Sequence, residues 1–262
     1  MALSCPIPLP AAHPELHGRA LSPQSGVFGP SELIAVMGPS GSGKTTMLSA
    51  LTGVMQPSEG STKANGQPVD PAVLRRFTAL VPQDDMLTPA LTAQEALFEA
   101  ACFKANATTG EAQKQTDQLL QQFGLLECRD VKIGHPEGTK GLSGGQRKRL
   151  SVALELTGNP SMLFLDEPTS GLDAVAALAL AKDLRSLSGT GATVIATIHQ
   201  PSAATFQCFQ RLLLLASGKA CYAGPISSTQ PQAYFGDAGY PCPEFHNPAD
   251  FVLEVRGTGW DC

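Results

Sequence analysis

The sequence predicts an α/β fold with a mainly parallel core sheet, an inserted helical subdomain and a small antiparallel β part. Three observations carry this. The runs Leu33–Met37, Met162–Leu165 and Thr193–Ile198 are almost continuously apolar, as strands covered on both faces are. The first run passes through a glycine-rich turn into a helical stretch at Met47 to Leu51. From about residue 91 to 158, apolar residues recur at helical spacing.

Taken in chain order, residues 1–24 hold prolines at 6, 8, 10, 14 and 23 and no periodicity, so they read as disordered or irregular. The domain then runs from 25 to 255, with 256–262 as a tail. The antiparallel part has only the segment after residue 25 to draw on, which would leave it incomplete at its N-terminal end. Asn65-Gly66 marks a hairpin turn, and Thr78–Val81 a short strand. Thr92-Ala93-Gln94-Glu95 has the form of a capping box and opens a helix reaching about Lys104. Glu111 to Phe123 is a second amphipathic helix, carrying Leu119, Leu120 and Phe123 on one face and stopped by Gly124. Arg147 to Leu156 is a third, and its run Arg147-Lys148-Arg149 reads as a solvated face. Ala174 to Leu187 forms the helix between the two later strands, Ser217-Gly218 turns a hairpin, and Gln232 to Phe235 is a short helix.

Composition narrows the function. The chain has 262 residues and a formal charge of −5, which gives no electrostatic reason to expect nucleic acid as a partner. Its seven cysteines form no paired spacing and read as reduced thiols. No apolar run approaches the ~20 residues needed to span a bilayer, and the first residues lack the pattern of a signal peptide.

Residues 38 to 45 read Gly38-Pro39-Ser40-Gly41-Ser42-Gly43-Lys44-Thr45, followed by Thr46, the full pattern of a phosphate-binding loop. Its glycines let backbone N–H groups turn inward on an anion, and the helix starting near Lys44 adds its unpaired N–H groups. Lys44 is placed to reach the β- and γ-phosphates, and Thr45 to offer its hydroxyl to Mg²⁺. The plain alternative is a Gly/Ser turn; the strand before and the helix after favour the phosphate loop.

Asp166 and Glu167 end the strand Met162–Leu165, at the carboxyl side where open α/β sheets bind ligands. Asp166 is the candidate Mg²⁺ ligand and Glu167 the residue that orients and polarises a water; the competing reading is two acids capping the next helix. Gln83, just after the strand ending at Val81, is where an amide could touch the metal and the water; the competing reading is an ordinary surface Gln. His199 follows Thr193–Ile198, where an imidazole could bond the γ-phosphate and hold the water in line with Glu167; the competing reading is a structural histidine. Leu142-Ser143-Gly144-Gly145-Gln146 opens a helix and forms a second anion-binding N-terminus, or else an ordinary Ser-capped helix. A second phosphate clamp is redundant at one nucleotide, so it points to a dimer in which Ser143 closes over the partner's ATP.

On these residues the chain resembles the nucleotide-binding domain of ABC transporters, a P-loop NTPase fold, and within them the G subfamily of White-type half-transporters. The likeness runs from about Ser25 to Val255 and includes Gln83-Asp84-Asp85-Met86-Leu87, Ile198-His199-Gln200-Pro201-Ser202 and Asn247-Pro248-Ala249-Asp250-Phe251. Gln146 with Ala153-Leu154-Glu155-Leu156 is most similar to the sterol-exporting branch. The resemblance implies ATP and Mg²⁺ as ligands. It implies a second nucleotide-binding domain as partner, with Ser170, Gly171, Leu172 and Asp173 as the loop facing it. It also implies a place on the cytosolic face of a membrane, where hydrolysis drives export of a lipid-like or amphipathic compound. Two departures stand out. The family sets a six-helix membrane domain after the Asn247–Phe251 block, whereas this sequence stops at Cys262, either as a fragment or beside a separate membrane chain. Many members also stack an upstream aromatic on adenine, and here no aromatic precedes Phe28. The alternative function is a soluble ABC ATPase acting on a non-membrane partner such as the ribosome. A relic that only binds ATP is disfavoured because Lys44, Gln83, Asp166, Glu167 and His199 are all present.

Overall fold

Buried apolar strands organise the molecule. In the computed structural model, residues 3–7, 21, 24–56, 61–105, 107–135, 140–226, 230–244 and 246–255 are described. In order they form β1 (Leu3–Ile7), β2 (Gln24–Phe28), β3 (Leu33–Met37), α1 (Lys44–Leu51), β4 (Lys63–Ala64), β5 (Gln67–Pro68), α2 (Pro71–Leu74) and β6 (Thr78–Val81). Then come α3 (Ala93–Lys104), α4 (Thr109–Gln122), a 3₁₀ turn at Leu126–Cys128, α5 (Gly144–Leu156), β7 (Met162–Leu165), α6 (Ala174–Gly189) and β8 (Thr193–Thr197). The last elements are α7 (Ala203–Phe206), β9 (Arg211–Ala216), β10 (Lys219–Pro225), α8 (Gln230–Asp237) and α9 (Pro248–Glu254).

The core sheet has the order β10-β9-β3-β8-β7-β6 and is parallel except for β10, which returns antiparallel beside β9. Every residue of β3, β7 and β8 is buried, which is why these runs carry no polar alternation. Side chains still alternate between two cores. Leu33, Ala35 and Met37 join the helices α3, α5 and α6, while Ile34 and Val36 meet α1 on the other face.

A second, antiparallel sheet has the order β2-β1-β4-β5. Its strand β1 corrects the expectation that residues 1–24 are irregular throughout. Leu3–Ile7 pairs with β2 on one side and β4 on the other, so the antiparallel part is completed from the N-terminal end. Pro6 has no N–H to donate, yet the antiparallel register with β2 runs through it from Leu3↔Phe28 to Ile7↔Gln24. Residues 8–20, 22–23 and 256–262, also named in the expected boundaries, lie outside the described residues. The Asn65-Gly66 turn joins β4 to β5 with both residues at positive φ, as a tight hairpin turn demands.

Three capping boxes start the helices of the inserted subdomain. Thr92 caps α3 with Glu95, Thr108 caps α4 with Glu111, and Ser143 caps α5 with Gln146. The Thr92 N–H donates to Glu95 Oε2 at 2.8 Å, and this bond holds that carboxyl below its ordinary pKa. Among the described residues no helix is long and apolar enough to cross a membrane.

Candidate nucleotide site

The glycine-rich loop sits between β3 and α1. Its first glycine has no room for a side chain: a Cβ at Gly38 would lie 2.3 Å from the Leu215 carbonyl oxygen and 2.6 Å from Ser42 Oγ. Gly43 occupies the N-cap of α1 with a left-handed φ of 96°, and no side chain caps the helix, so its first N–H groups remain available. Lys44 is buried and curls back, its Nζ donating to the carbonyls of Gly38 at 2.8 Å and Pro39 at 3.2 Å. Ser42 Oγ is buried without a hydrogen-bond partner. Pro39, Ser40 and Gly41 form the outer arc of the loop, and Thr46 follows on α1, half-buried.

The carboxyl ends of β7 and β8 supply the opposite wall. Thr45 Oγ1 donates to Asp166 Oδ2 at 2.8 Å, joining the loop to the strand end. Asp166 Oδ1 accepts from Thr197 Oγ1 at 2.7 Å. The same hydroxyl accepts the Glu167 N–H at 2.7 Å, and Glu167 has a left-handed φ of 44°, uncommon for a residue with a side chain. Gln83 Nε2 donates to Glu167 Oε2 at 3.2 Å. Lys44, Thr45, Gln83, Asp166 and Glu167 are thus brought together. His199 lies exposed just beyond β8, with no hydrogen bond to Glu167 among the described residues.

These residues fit a triphosphate and a hard divalent ion. The loop presents N–H groups, a buried ammonium and an orphaned hydroxyl, all donors suited to phosphate oxygens. Thr45, Asp166 and Gln83 offer oxygen ligands from one carboxylate and two neutral groups, the sparse set that Mg²⁺ combines with phosphates and water.

The Leu142–Gln146 segment lies elsewhere, at the start of α5. Leu142 is buried, and the Ser143 hydroxyl accepts the Gln146 N–H at 3.3 Å while the Ser143 N–H donates to Gln146 Oε1 at 2.9 Å. The ordinary N-cap reading is therefore present in the structure, and the segment remains exposed at Ser143 and Gly144. Its glycines allow a close approach. A Cβ at Gly145 would stand 3.2 Å from Ala176 Cβ, and one at Gly144 3.6 Å from Leu172. The loop Ser170-Gly171-Leu172-Asp173 runs between these contacts and Glu167, whose carbonyl accepts the Ser170 N–H at 3.0 Å. Asp173 then caps α6 through the N–H groups of Val175 and Ala176.

Two further expectations from the sequence fail. The run Arg147-Lys148-Arg149 is not a solvated face. Arg147 and Lys148 are buried at 6% and 4% exposure, because loop carbonyls and a carboxylate receive their charge. Arg147 donates to Ile133 and Gly134 oxygens, and Lys148 Nζ to the Gln83 carbonyl and to Asp85 Oδ1. The expectation of reduced thiols fails at Cys221, which is disulfide-bonded, whereas Cys102, Cys128, Cys208 and Cys242 are free. Spacing along the chain does not report distance across the fold. Sequence reasoning also missed α9, although Asn247 and Pro248 are a good N-cap and first-turn pair. The Asn247 amide donates to the Pro201 carbonyl at 3.2 Å, tying that helix to the loop that carries His199.

Comparison with known proteins identifies the family. The model of the family described as ABC transporter matches residues 21–170, and that described as ABC-2 type transporter matches residues 199–258. ABC transporter G family member 21 of Arabidopsis thaliana is 43% identical over 235 residues, covering 88% of this chain and 34% of that protein. Protein white of Drosophila melanogaster is 41% identical over 256 residues, covering 95% of this chain and 36% of that protein. The chain therefore spans about a third of the length of these curated relatives. In fold it is similar to CbiO1 of Clostridium perfringens, described as part of the ABC transporter complex CbiONQ, with a TM-score of 0.74 and 24% identity over 90% of this chain and 91% of that one. These matches favour a transporter over the soluble ribosome-type alternative. The chain belongs to the ABC transporter family, in the G subfamily that includes its White-type relatives, and carries that family's ATP-hydrolysing domain.

Proposed function

We propose that this chain binds MgATP between the Gly38–Thr46 loop and the ends of β6, β7 and β8, and that hydrolysis there powers export of a lipid-like or amphipathic compound. The observation that carries the reading is the 2.8 Å contact between Thr45 and Asp166, with Gln83 and Glu167 3.2 Å apart beside it. Lys44 turns from the Gly38 and Pro39 carbonyls to the β- and γ-phosphates, and the Ser42 hydroxyl gains the acceptor it lacks. Thr45, Asp166 and Gln83 hold Mg²⁺, which supplies charge neutralisation of the phosphates. Glu167 accepts a hydrogen bond from the attacking water and orients it on the γ-phosphorus, with Gln83 and His199 flanking it. Water adds, the bond to the ADP oxygen breaks, and phosphate and a proton leave.

Ser143, Gly144, Gly145 and Gln146 serve a second nucleotide, held by the Lys44 loop of another nucleotide-binding domain, with Ser170–Asp173 at the junction. A membrane domain, in the same polypeptide or another, keeps the pair on the cytosolic face and passes the cargo. Phosphate release by the chain, compared with its Lys44→Ala variant, tests the enzymatic half. Efflux of a labelled lipid from vesicles holding this domain with its membrane part tests the other. ATP turnover without any lipid or amphiphile efflux would remove the proposed cargo class.

A further inference from the structure

Thr197 was singled out by no sequence motif, yet it touches both carboxylate residues of the site. It closes β8 and is fully buried. Leu165 pairs with Ala196 in the parallel β7–β8 ladder, so the next residues, Asp166 and Thr197, are neighbours where the two strands end. A hydroxyl has one proton to give and lone pairs to receive. The Thr197 proton goes to Asp166 Oδ1 at 2.7 Å, and a lone pair takes the Glu167 N–H at 2.7 Å.

We infer that Thr197 is a positioning residue for hydrolysis, acting through Asp166 and Glu167 and not on the nucleotide itself. The inference rests on the MgATP reading above. With Oδ1 committed to Thr197, Asp166 has Oδ2 beside Thr45, the oxygen that would remain for a divalent ion. With its N–H held by the same hydroxyl, Glu167 stays at φ 44° and its carboxylate stays beside Gln83. One buried side chain thereby fixes the metal carboxylate and the water-orienting carboxylate in register. Serine preserves both bonds; valine keeps the shape and loses both.

The test measures binding, in a chain carrying Glu167→Gln so that nucleotide is not consumed. A fluorescent ATP analogue is titrated in Mg²⁺ and again in EDTA, with thermal melting recorded alongside. Thr197→Val is expected to shrink the Mg²⁺-dependent gain in affinity by about tenfold or more, the worth of a hydrogen bond to a charged group. Its affinity in EDTA stays at the parent value. Thr197→Ser is expected to retain the Mg²⁺ gain even where melting shows lost stability, a separation that a purely structural role would not produce. Should the valine variant fail to fold, Thr197→Cys, which is smaller than threonine and a much weaker hydrogen-bonding group, is expected to show the same loss. A full Mg²⁺ gain in a folded Val or Cys variant overturns the inference. Failure of the parent itself to bind the analogue in either medium overturns the MgATP reading, and this inference with it.

Discussion

Lys148 Nζ lies 2.7 Å from Asp85 Oδ1 and 2.8 Å from the Gln83 carbonyl oxygen, so a lysine one turn into α5 is locked to the segment after β6. Ser151 Oγ, one turn further on, donates to the same Asp85 oxygen at 2.8 Å. The helix that presents Ser143 and the loop that presents Gln83 are joined by these buried polar contacts.

Breaking that lock from one side should be costly. Lys148→Met leaves the Asp85 carboxylate little exposed and without its cation, and is expected to destabilise the chain by about 3–5 kcal/mol. Adding Asp85→Leu removes the stranded charge and should recover most of that loss in denaturant titrations. ATP turnover should stay depressed in the double variant, because nothing then holds the Gln83 carbonyl. A double variant no more stable than Lys148→Met would show that the pair is not what matters.

Glu167→Gln is expected to leave nucleotide affinity unchanged and to slow hydrolysis by roughly 10²–10⁴-fold, the usual worth of a positioned base. Single-turnover measurement separates this from slow product release. A rate close to the parent's would assign the water to another residue.

If Ser143 closes over a partner's nucleotide, Ser143→Arg and Lys44→Ala chains should each be inactive alone, and a mixture should recover activity at up to one site per heterodimer. Sedimentation of the Glu167→Gln chain should show a dimer with ATP and Mg²⁺ and none with ADP. Heterodimers that form yet stay as inactive as either parent would exclude the arrangement in trans.

Base selectivity should be weak. Phe28 is 7% exposed and packs with Ile34, Val36 and Met47, so its ring is not free to stack on adenine. Base–aromatic stacking is worth about 1–3 kcal/mol in single-strand binders. Without it, ATP and GTP should bind within about tenfold of each other. Phe28→Ala should cost about 3–5 kcal/mol of stability without changing that ratio. A strong ATP preference in the parent chain would require an adenine contact other than Phe28.

Much of this architecture was legible because its signals are local. The loop at Gly38–Thr45, the Thr92–Glu95 capping box and the Asn65-Gly66 turn each need only a few consecutive residues, and each lies where the sequence placed it. The capping box at Thr108 was equally readable and moves the start of α4 to Thr109, ahead of the expected Glu111. What escaped depends on partners far along the chain. The strand Leu3–Ile7 exists because β2 and β4 pair with it, and nothing in its five residues, Pro6 among them, announces those partners. Lys148 reads as a surface charge until Asp85, 63 positions earlier, is brought beneath it. Thr197 stands inside a buried strand, where a threonine is indistinguishable by pattern from one that merely fills space.

The order of strands in the core sheet sets a schedule for synthesis. β3 carries the phosphate loop, yet both of its neighbours come much later, β8 starting at Thr193 and β9 at Arg211. The Leu33 N–H donates to the Gln210 side chain across a separation of 177 residues. At ribosomal rates of about 5–20 residues per second, about 8–35 s pass between the emergence of β3 and that of the strands that flank it. During that interval Leu33 to Met37 is a bare apolar segment with both hydrogen-bonding edges open, exposed to association with other nascent chains. The strand on which nucleotide binding depends is thus among the first to be made and the last to be sheltered.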